Sequence, residues 1–237
     1  MTRLIAERTE ALPAQQRRPG KDLESQVRLT EVFLSLQGES TTVGLPTVFV
    51  RLTGCPLRCG YCDTEYAFHG GTVTDLDSVL GQVRELKVRH VTVTGGEPLA
   101  QPGAVPLLTM LCDQGYQVSL ETSGALDVSR VDDRVKKVVD IKTPGSGEMH
   151  RNLWSNLALC GAHDELKFVI CDRQDYEWAK LKCDEFGLYQ ADSEVLFSPV
   201  TGRLAARDLA DWIVADRLSV RMQVQLHKYL WGDEPGR

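Results

Sequence analysis

Short runs of β-branched and other apolar residues alternate with helix-length amphipathic segments over most of this 237-residue chain. Apolar residues at every second position predict strands, and apolar residues at every third or fourth position predict helices. The predicted strands are 28–38, 47–53, 90–94, 117–121, 137–141, 165–170, 194–197 and 220–226, and the predicted helices are 75–87, 102–114, 172–186 and 205–217. Strands and helices that take turns form right-handed βαβ units. The sequence therefore predicts an α/β fold with mostly parallel strands, either as an open sheet or as part of a barrel.

The amino-terminal segment differs from the rest of the chain. Residues 1–26 are polar, contain Pro13 and Pro19 and show no clear apolar period, which predicts a loosely ordered extension before a single domain over 27–237. A short helix around 5–12 is the alternative. The segment lacks the continuous apolar stretch of a secretory signal, and no stretch approaches the roughly 18 apolar residues of a membrane span. We therefore expect a cytoplasmic protein that does not act at a membrane.

Charge and cysteine content narrow the class of ligand. The chain carries 27 Lys and Arg against 33 Asp and Glu, a net charge of −6. This balance argues against nucleic acid as the main partner and favours a small ligand. The seven cysteines are an odd number spread over a long chain, which is typical of a reducing compartment rather than of a disulfide framework. We therefore expect the cysteines to act as free thiols or as metal ligands.

Three of the cysteines form the strongest local signal. Cys55, Cys59 and Cys62 have the spacing C-x3-C-x2-C directly after the predicted strand 47–53. A structural zinc site normally has four protein ligands, and the remaining cysteines stand singly along the chain. A [4Fe–4S] cluster held by three cysteines instead leaves one iron open to a cofactor. A zinc loop or three unrelated thiols are the alternatives.

The triplet, with the aromatic Tyr61 just before its last cysteine, resembles the radical S-adenosylmethionine (SAM) superfamily. The stretch Thr94-Gly-Gly-Glu-Pro98 resembles the GGE motif of that superfamily, which holds the amino group of the SAM methionine. Two glycines let the backbone approach a ligand closely, and Glu97 can accept a hydrogen bond from an ammonium group. The resemblance implies one [4Fe–4S] cluster, SAM as cofactor and a partial, shortened (β/α) barrel.

Further stretches resemble one family within the superfamily, the 7-carboxy-7-deazaguanine synthases. They are 31–39 (EVFLSLQGE), 44–54 (GLPTVFVRLTG), 62–64 (CDT), 121–124 (ETSG), 140–144 (DIKTP) and 225–228 (QLHK), so the resemblance runs from about residue 28 to 228. It implies conversion of 6-carboxy-5,6,7,8-tetrahydropterin into 7-carboxy-7-deazaguanine with loss of ammonia, on the route to queuosine and related 7-deazapurines. It also implies a homodimer, assistance by Mg²⁺ and an electron donor such as a flavodoxin or ferredoxin.

The same resemblance assigns site residues. Those implied for SAM are Tyr61, Asp63, Gly96, Glu97, Ser123, Asp140, Lys142 and Thr143. Those implied for the pterin substrate are Leu36, Gln37, Gly38, Glu39, Arg51, Thr94 and His227. Thr64 is the implied Mg²⁺ ligand, which is reasonable chemically because Mg²⁺ prefers hard oxygen.

Two of these residues also carry an argument of their own. Gln37 shares the strand parity of Ser35, so it projects from the polar side of the first strand's end, where a flat heterocycle needs donors and acceptors. Arg51 is a charge in an otherwise apolar strand. Its guanidinium could pair bidentately with a substrate carboxylate, and a structural ion pair is the alternative.

The chain departs from the family pattern at two places. Ser40 stands where the family's QGEG motif has its last glycine, which bears on a turn near the substrate, and residues 229–237 continue past the last matching stretch. We assign no role to the carboxyl terminus. Two other functions are compatible with a cysteine triplet: an activase that installs a glycyl radical on a partner protein, and a non-catalytic iron–sulfur or zinc module.

Overall fold

The computed structural model describes residues 23–232, 234 and 236, and these residues form one sheet flanked by helices. The strands are β1 (Gln26–Leu36), β2 (Pro46–Leu52), β3 (Thr72–Asp75), β4 (His90–Gly95), β5 (Gln117–Thr122), β6 (Lys136–Ile141), β7 (Glu165–Ile170), β8 (Glu194–Pro199) and β9 (Arg221–Met222). The helices are α1 (Leu76–Glu85), α2 (Ala104–Asp113), α3 (Arg173–Glu185), α4 (Ala206–Asp216) and α5 (Leu226–Trp231). The predicted α/β class is confirmed.

The sheet is mostly parallel and does not close. Its strand order is β3-β1-β2-β4-β5-β6-β7-β8-β9, so β3 and β9 form its two ends. Strand β1 runs antiparallel to β2 and β3, and every other neighbouring pair is parallel. This arrangement agrees with the expected partial barrel. Because β1 runs against β2, the residues that follow β1 lie at the opposite edge of the sheet from the residues that follow the parallel strands.

Side chains along each strand point alternately to two faces of the sheet. One face packs against the helices, and the other is concave and lines a cavity. On β7, Leu166, Phe168 and Ile170 are almost completely buried and belong to a core cluster with apolar residues of α3 and α4. Successive side chains of a strand point to opposite faces. Lys167, between two of these residues, therefore faces the concave side of the sheet. A second core cluster joins β1, β2, β4 and β5 to α1 and α2 in the same way.

Capping side chains set two of the helix starts. Asp75 accepts a hydrogen bond from the backbone N–H of Ser78 at 2.8 Å, and Asp172 accepts one from Asp175 at 2.9 Å. Each carboxylate satisfies a backbone donor that has no partner within the helix. Two of the predicted helices begin at these cap residues, and α1 and α3 begin one residue later.

The predicted strand 220–226 is wrong over most of its length. Only Arg221 and Met222 pair with β8, and residues 226–231 form α5, so that His227 lies in the first turn of a helix. The alternation of apolar and polar residues misled the prediction because the polar side chains serve other contacts. Gln223 accepts from the backbone N–H of Ser40 at 2.7 Å, and the amide of Gln225 donates to Glu39 at 2.9 Å.

The predicted extension 1–26 lies almost wholly outside the described residues. Within it, residues 23–25 form a turn and Gln26 begins β1. Among the described helices, none combines the length and the apolar character that crossing a membrane requires.

Ser40 occupies a backbone conformation that favours glycine. Its φ is +66°, in the left-handed region, which accounts for the glycine of the family motif at this place. The serine is 3% exposed, and its Oγ accepts from the backbone N–H of Thr42 at 3.0 Å. The substitution therefore keeps the turn and adds a side-chain hydrogen bond within it.

Arg217, the residue that ends α4, is also left-handed, with φ of 51°. We predict that Arg217→Gly raises the free energy of unfolding by about 1 kcal/mol, because glycine carries no Cβ penalty in this conformation. The melting temperature should rise by about 2–4 °C. Arg217→Ala is the matched control, since it removes the side chain but keeps the Cβ atom. Equal melting temperatures for the two variants would contradict the prediction.

Candidate active site

A cavity of about 440 Å³ lies on the concave side of the sheet and reaches from β1 to β8. It collects nearly all of the residues singled out from the sequence. The predicted residues that line it are Leu36, Gln37, Gly38, Glu39, Arg51, Cys55, Cys59, Tyr61, Cys62, Asp63, Thr64, Thr94, Gly96, Ser123, Asp140, Lys142 and His227. Glu97 and Thr143 are the two that do not line it. Residues as far apart in the sequence as Leu36 and His227 thus share one site.

The three cysteines lie in the loop that follows β2, here called the cysteine loop (residues 53–64). Their thiols are free and partly exposed, and burial raises the pKa of each one, to about 11 for Cys59. Among the described residues, no three His, Cys, Asp or Glu side chains converge on a single metal ion. Thiolates that bind an iron–sulfur cluster need no such convergence, because each binds a different iron. Three thiolates from one loop fit a [4Fe–4S] cluster whose fourth iron is left to a cofactor.

Residues of neighbouring loops form hydrogen bonds with the cysteine loop. The backbone N–H of Gly60 donates to the carbonyl of Ser146 at 3.0 Å, and the guanidinium of Arg203 donates to the carbonyl of Gly60. Glu148 accepts from the backbone N–H of Arg58 at 2.6 Å. Both backbone groups of the glycine between the second and third cysteines are therefore satisfied from other parts of the chain. Arg203 and Glu148 were not predicted from the sequence, because no local pattern marks a residue that supports a distant loop.

Asp140 is the second-last residue of β6, and Lys142 is the first residue after this strand. The Lys142 Nζ lies 3.0 Å from Asp140 Oδ2, and the ion pair is largely buried. The other carboxylate oxygen, Oδ1, is also buried and accepts no hydrogen bond from any described residue. A buried acceptor without a donor is costly. Oδ1 is thus suited to accept a hydrogen bond from a ligand hydroxyl, as the ribose of SAM would offer.

The glycines of the GGE stretch line the cavity, whereas Glu97 does not. Gly96 lines the cavity, and a Cβ atom added there would lie 2.2 Å from the Gly54 carbonyl oxygen, so only glycine fits. Glu97 is fully buried, and its carboxylate accepts hydrogen bonds from Thr122 Oγ1 at 2.9 Å and from the backbone N–H of Ser123 at 2.6 Å. In this structure Glu97 therefore fixes the walls of the cavity instead of facing into it.

Thr143 has a similar supporting position. Its hydroxyl donates to Asp175 Oδ2 at 2.9 Å and to the Val169 carbonyl at 3.0 Å, and its side chain is fully buried. Asp175 also accepts from the backbone N–H of Gly145 at 2.8 Å. Thr143 thus helps to shape the segment whose Ser146 carbonyl binds the cysteine loop.

Charged side chains dominate the end of the cavity next to β1. Glu39 Oε2 pairs with Lys167 Nζ at 2.7 Å, and both residues are largely buried. Burial by itself would raise the pKa of Glu39, but Lys167 and Gln225 outweigh it and the pKa is lowered. Burial raises the pKa of Glu121, which accepts from the amide of Gln37 at 3.4 Å. The cavity therefore contains two buried carboxyl groups with opposite pKa shifts.

Lys167 and Glu121 were not predicted as site residues from the sequence. A signal was present for Lys167, since it is a charge within the apolar strand β7, as Arg51 is within β2. Glu121 belongs to one of the stretches that match the family, but its position at the cavity depends on the pairing of β5 with its neighbours.

The residues after β1 meet the carboxy-terminal helix. A Cβ atom added to Gly38 would lie 2.0 Å from His227 Nδ1, so a larger residue here would displace the His227 ring. The backbone N–H of Leu226 donates to the Gly38 carbonyl at 2.9 Å. Burial lowers the pKa of His227, which favours its neutral form. The contact closes the cavity between β1 and α5.

Arg51, on β2, and Thr64, in the cysteine loop, also line the cavity. Arg51 Nε pairs with Glu31 Oε1 at 2.7 Å, so the structural ion pair that the sequence left as an alternative is present, although Arg51 also lines the cavity. The Thr64 hydroxyl donates to Asp63 Oδ1 at 2.9 Å. Because the hydroxyl hydrogen is directed to Asp63, the lone pairs of Thr64 Oγ1 stay available to a cation.

Comparison with known proteins identifies the family. A family model described as the Radical SAM superfamily matches residues 49–180. The chain is 45% identical over 214 residues to a 7-carboxy-7-deazaguanine synthase of Chlorobaculum tepidum, which covers 89% of this chain and 97% of that protein. It is 42% identical over 222 residues to one of Koribacter versatilis, which covers 88% and 98%.

A solved structure shares the fold. The crystal structure of QueE from Escherichia coli superposes with a TM-score of 0.70 at 24% identity, over 85% of this chain and 95% of that one. The radical SAM superfamily implies a [4Fe–4S] cluster and SAM, in agreement with the thiols of the cysteine loop and the unpaired oxygen of Asp140. This chain belongs to the 7-carboxy-7-deazaguanine synthase family of the radical SAM superfamily.

Proposed function

We propose that this protein converts 6-carboxy-5,6,7,8-tetrahydropterin into 7-carboxy-7-deazaguanine with loss of ammonia. The observation that carries the proposal is a single cavity that joins the cysteine loop to a wall of amide, carboxyl and guanidinium groups. A flat, hydrogen-bonding heterocycle with a carboxylate needs such a wall. Two relatives named 7-carboxy-7-deazaguanine synthase are 45% and 42% identical to this chain.

Three groups of residues hold the cofactors in this proposal. Cys55, Cys59 and Cys62 bind the cluster, and Asp140 Oδ1 accepts from a ribose hydroxyl of SAM. When bound, the cluster and SAM supply the 5′-deoxyadenosyl radical that removes a hydrogen atom from the substrate. The backbone at Gly96 approaches the methionine end of SAM, because this residue has no side chain to keep a ligand away.

The opposite end of the cavity recognises the pterin. The Gln37 amide and the Glu39 carboxylate provide donors and acceptors for the ring edge, and Arg51 pairs with the carboxylate substituent. Lys167 keeps Glu39 ionised, which favours Glu39 as the acceptor for ring N–H groups. Glu121, whose pKa burial raises, is the carboxyl group suited to hold a proton for the departing nitrogen.

In this proposal the protein is a cytoplasmic homodimer that receives electrons from a small redox protein. The seven free cysteines are compatible with the reducing cytoplasm, where a flavodoxin or ferredoxin would serve as electron donor. Leu34, Val43 and Leu45 are each 39–48% exposed, and they supply apolar surface for a homodimer contact.

We predict that the protein, reconstituted anaerobically with iron and sulfide and then reduced, forms a product with the mass of 7-carboxy-7-deazaguanine from the carboxylated tetrahydropterin and SAM. Cys59→Ala should abolish SAM cleavage because one cluster ligand is lost. SAM cleavage without a pterin product would contradict the proposed substrate. Native protein with stoichiometric zinc and no iron would contradict the cluster, and Cys112→Ala is the control for the loss of a thiol outside the cavity.

Thr64 is the proposed ligand of Mg²⁺, and its substitution tests that role. Thr64→Val keeps the shape of the side chain but removes the hydroxyl, so we predict turnover lowered roughly tenfold to a hundredfold, with SAM binding intact. Thr64→Ser keeps a hydroxyl and should retain most of the turnover. Iron content must be measured on the same samples, because Thr64 lies two residues from Cys62. Normal turnover of Thr64→Val would rule out the metal role.

A further inference from the structure

The carboxylate of Glu31 lies behind Arg51. Glu31 and Arg51 are register partners on β1 and β2, and Glu31 Oε1 accepts from Arg51 Nε at 2.7 Å. The same oxygen accepts from the hydroxyl of Tyr66 at 2.8 Å. Arg51 and Tyr66 line the cavity, whereas Glu31 does not. Glu31 therefore binds the arginine from the side away from the cavity.

Two aromatic rings restrict the guanidinium further. The Arg51 Cζ lies 5.7 Å from the ring centroid of Phe33 and 5.7 Å from that of Tyr66. Cations are attracted to the faces of such rings. Ion pairing and ring contacts together determine both the position and the orientation of the guanidinium plane.

This arrangement limits how Arg51 can bind an anion. A guanidinium can pair bidentately with a carboxylate either through Nε and one terminal nitrogen or through its two terminal nitrogens. Glu31 occupies Nε, so only the terminal edge remains for a second carboxylate. A partner on Nε thus selects one of the two binding geometries.

We propose that Glu31, supported by Tyr66, is a positioning residue that presents the terminal edge of Arg51 to the substrate carboxylate and so determines selectivity for a carboxylated substrate. The inference rests on the proposed role of Arg51 in substrate binding. Tyr66 belongs to the short 3₁₀ turn Glu65–Phe68 directly after the cysteine loop. The hydrogen bond of Tyr66 therefore also ties the substrate-binding arginine to the loop that carries the cluster ligands.

Removal of Glu31 has two opposite expected effects on substrate binding: one through the lost negative charge, and one through the lost position of Arg51. A carboxylate beside Arg51 weakens the attraction of the guanidinium for another anion. If charge alone mattered, every neutral substitution at Glu31 would tighten substrate binding. If position matters, Glu31→Leu should weaken binding, because no acceptor holds Nε, whereas Glu31→Gln should preserve binding, because its amide oxygen still accepts.

The test uses the reconstituted holoenzyme and measures KM for the carboxylated tetrahydropterin and the inhibition constant of a tetrahydropterin without the carboxylate. We expect Glu31→Leu to raise KM roughly tenfold, Glu31→Gln to change it less than about threefold, and the inhibition constant to stay unchanged in both. An unchanged or lower KM in Glu31→Leu with normal iron content would overturn the inference. So would equal weakening of both pterins.

Two further variants keep the test decisive. Tyr66→Phe removes one donor to Glu31 without changing the core, and we expect KM to rise about twofold to threefold, so an unchanged KM would overturn the supporting role of Tyr66. Arg51→Gln measures the proposed function separately. If Arg51→Gln weakens the carboxylated pterin while Glu31→Leu does not, the positioning role alone fails. If Arg51→Gln has no effect, the proposed role of Arg51 fails.

Discussion

Paired charges on the concave face of the sheet are the constraint on which the site depends. Parallel strands that carry helices on their outer face have only their inner face left for polar side chains. Lys167 pairs with Glu39 and Arg51 with Glu31, and each of these two pairs joins separate elements, whereas Lys142 pairs with Asp140 at the end of the same strand. Removal of one partner from a buried pair leaves an uncompensated charge, at a cost of about 3–5 kcal/mol. Binding residues and fold stability are therefore linked in this protein.

The direction of the strands places the two ends of the cavity. β2 leads into the cysteine loop, β4 into Gly96, β5 into Ser123 and β6 into Lys142, so the residues proposed to hold the cofactors collect at the carboxyl edge of the parallel strands. Ligands of α/β proteins commonly bind at that edge. The antiparallel β1 delivers residues 37–39 to the other edge, where Leu36 pairs with the first residue of β2. Because β1 runs in the opposite direction to β2, residues at both edges of the sheet line the same cavity.

Local patterns were sufficient for strands β1, β2 and β4 to β8, for the four long helices and for the cysteine spacing, because each depends on residues that are near in sequence. Contacts across the fold were not predictable in this way. Glu121, Lys167 and Arg203 acquire their roles only through partners brought together by strand order, and the partner of Lys167 is 128 residues away. The strand predicted at 220–226 failed for the same reason, since tertiary hydrogen bonds of its glutamines replace the ladder. Glu97 had the right motif, but only the structure shows that its carboxylate accepts a hydrogen bond from Thr122.

The unpaired Asp140 oxygen has a thermodynamic consequence for the whole molecule. A buried acceptor without a donor costs about 1–3 kcal/mol, which is a large share of the net stability of an ordinary domain. A ligand hydroxyl that donates to this oxygen restores that free energy to the native state alone. Ligand concentration then shifts the balance between folded and unfolded chains by mass action. A cofactor that donates to Asp140 Oδ1, as proposed for SAM, therefore raises the equilibrium stability of the folded protein as its concentration rises.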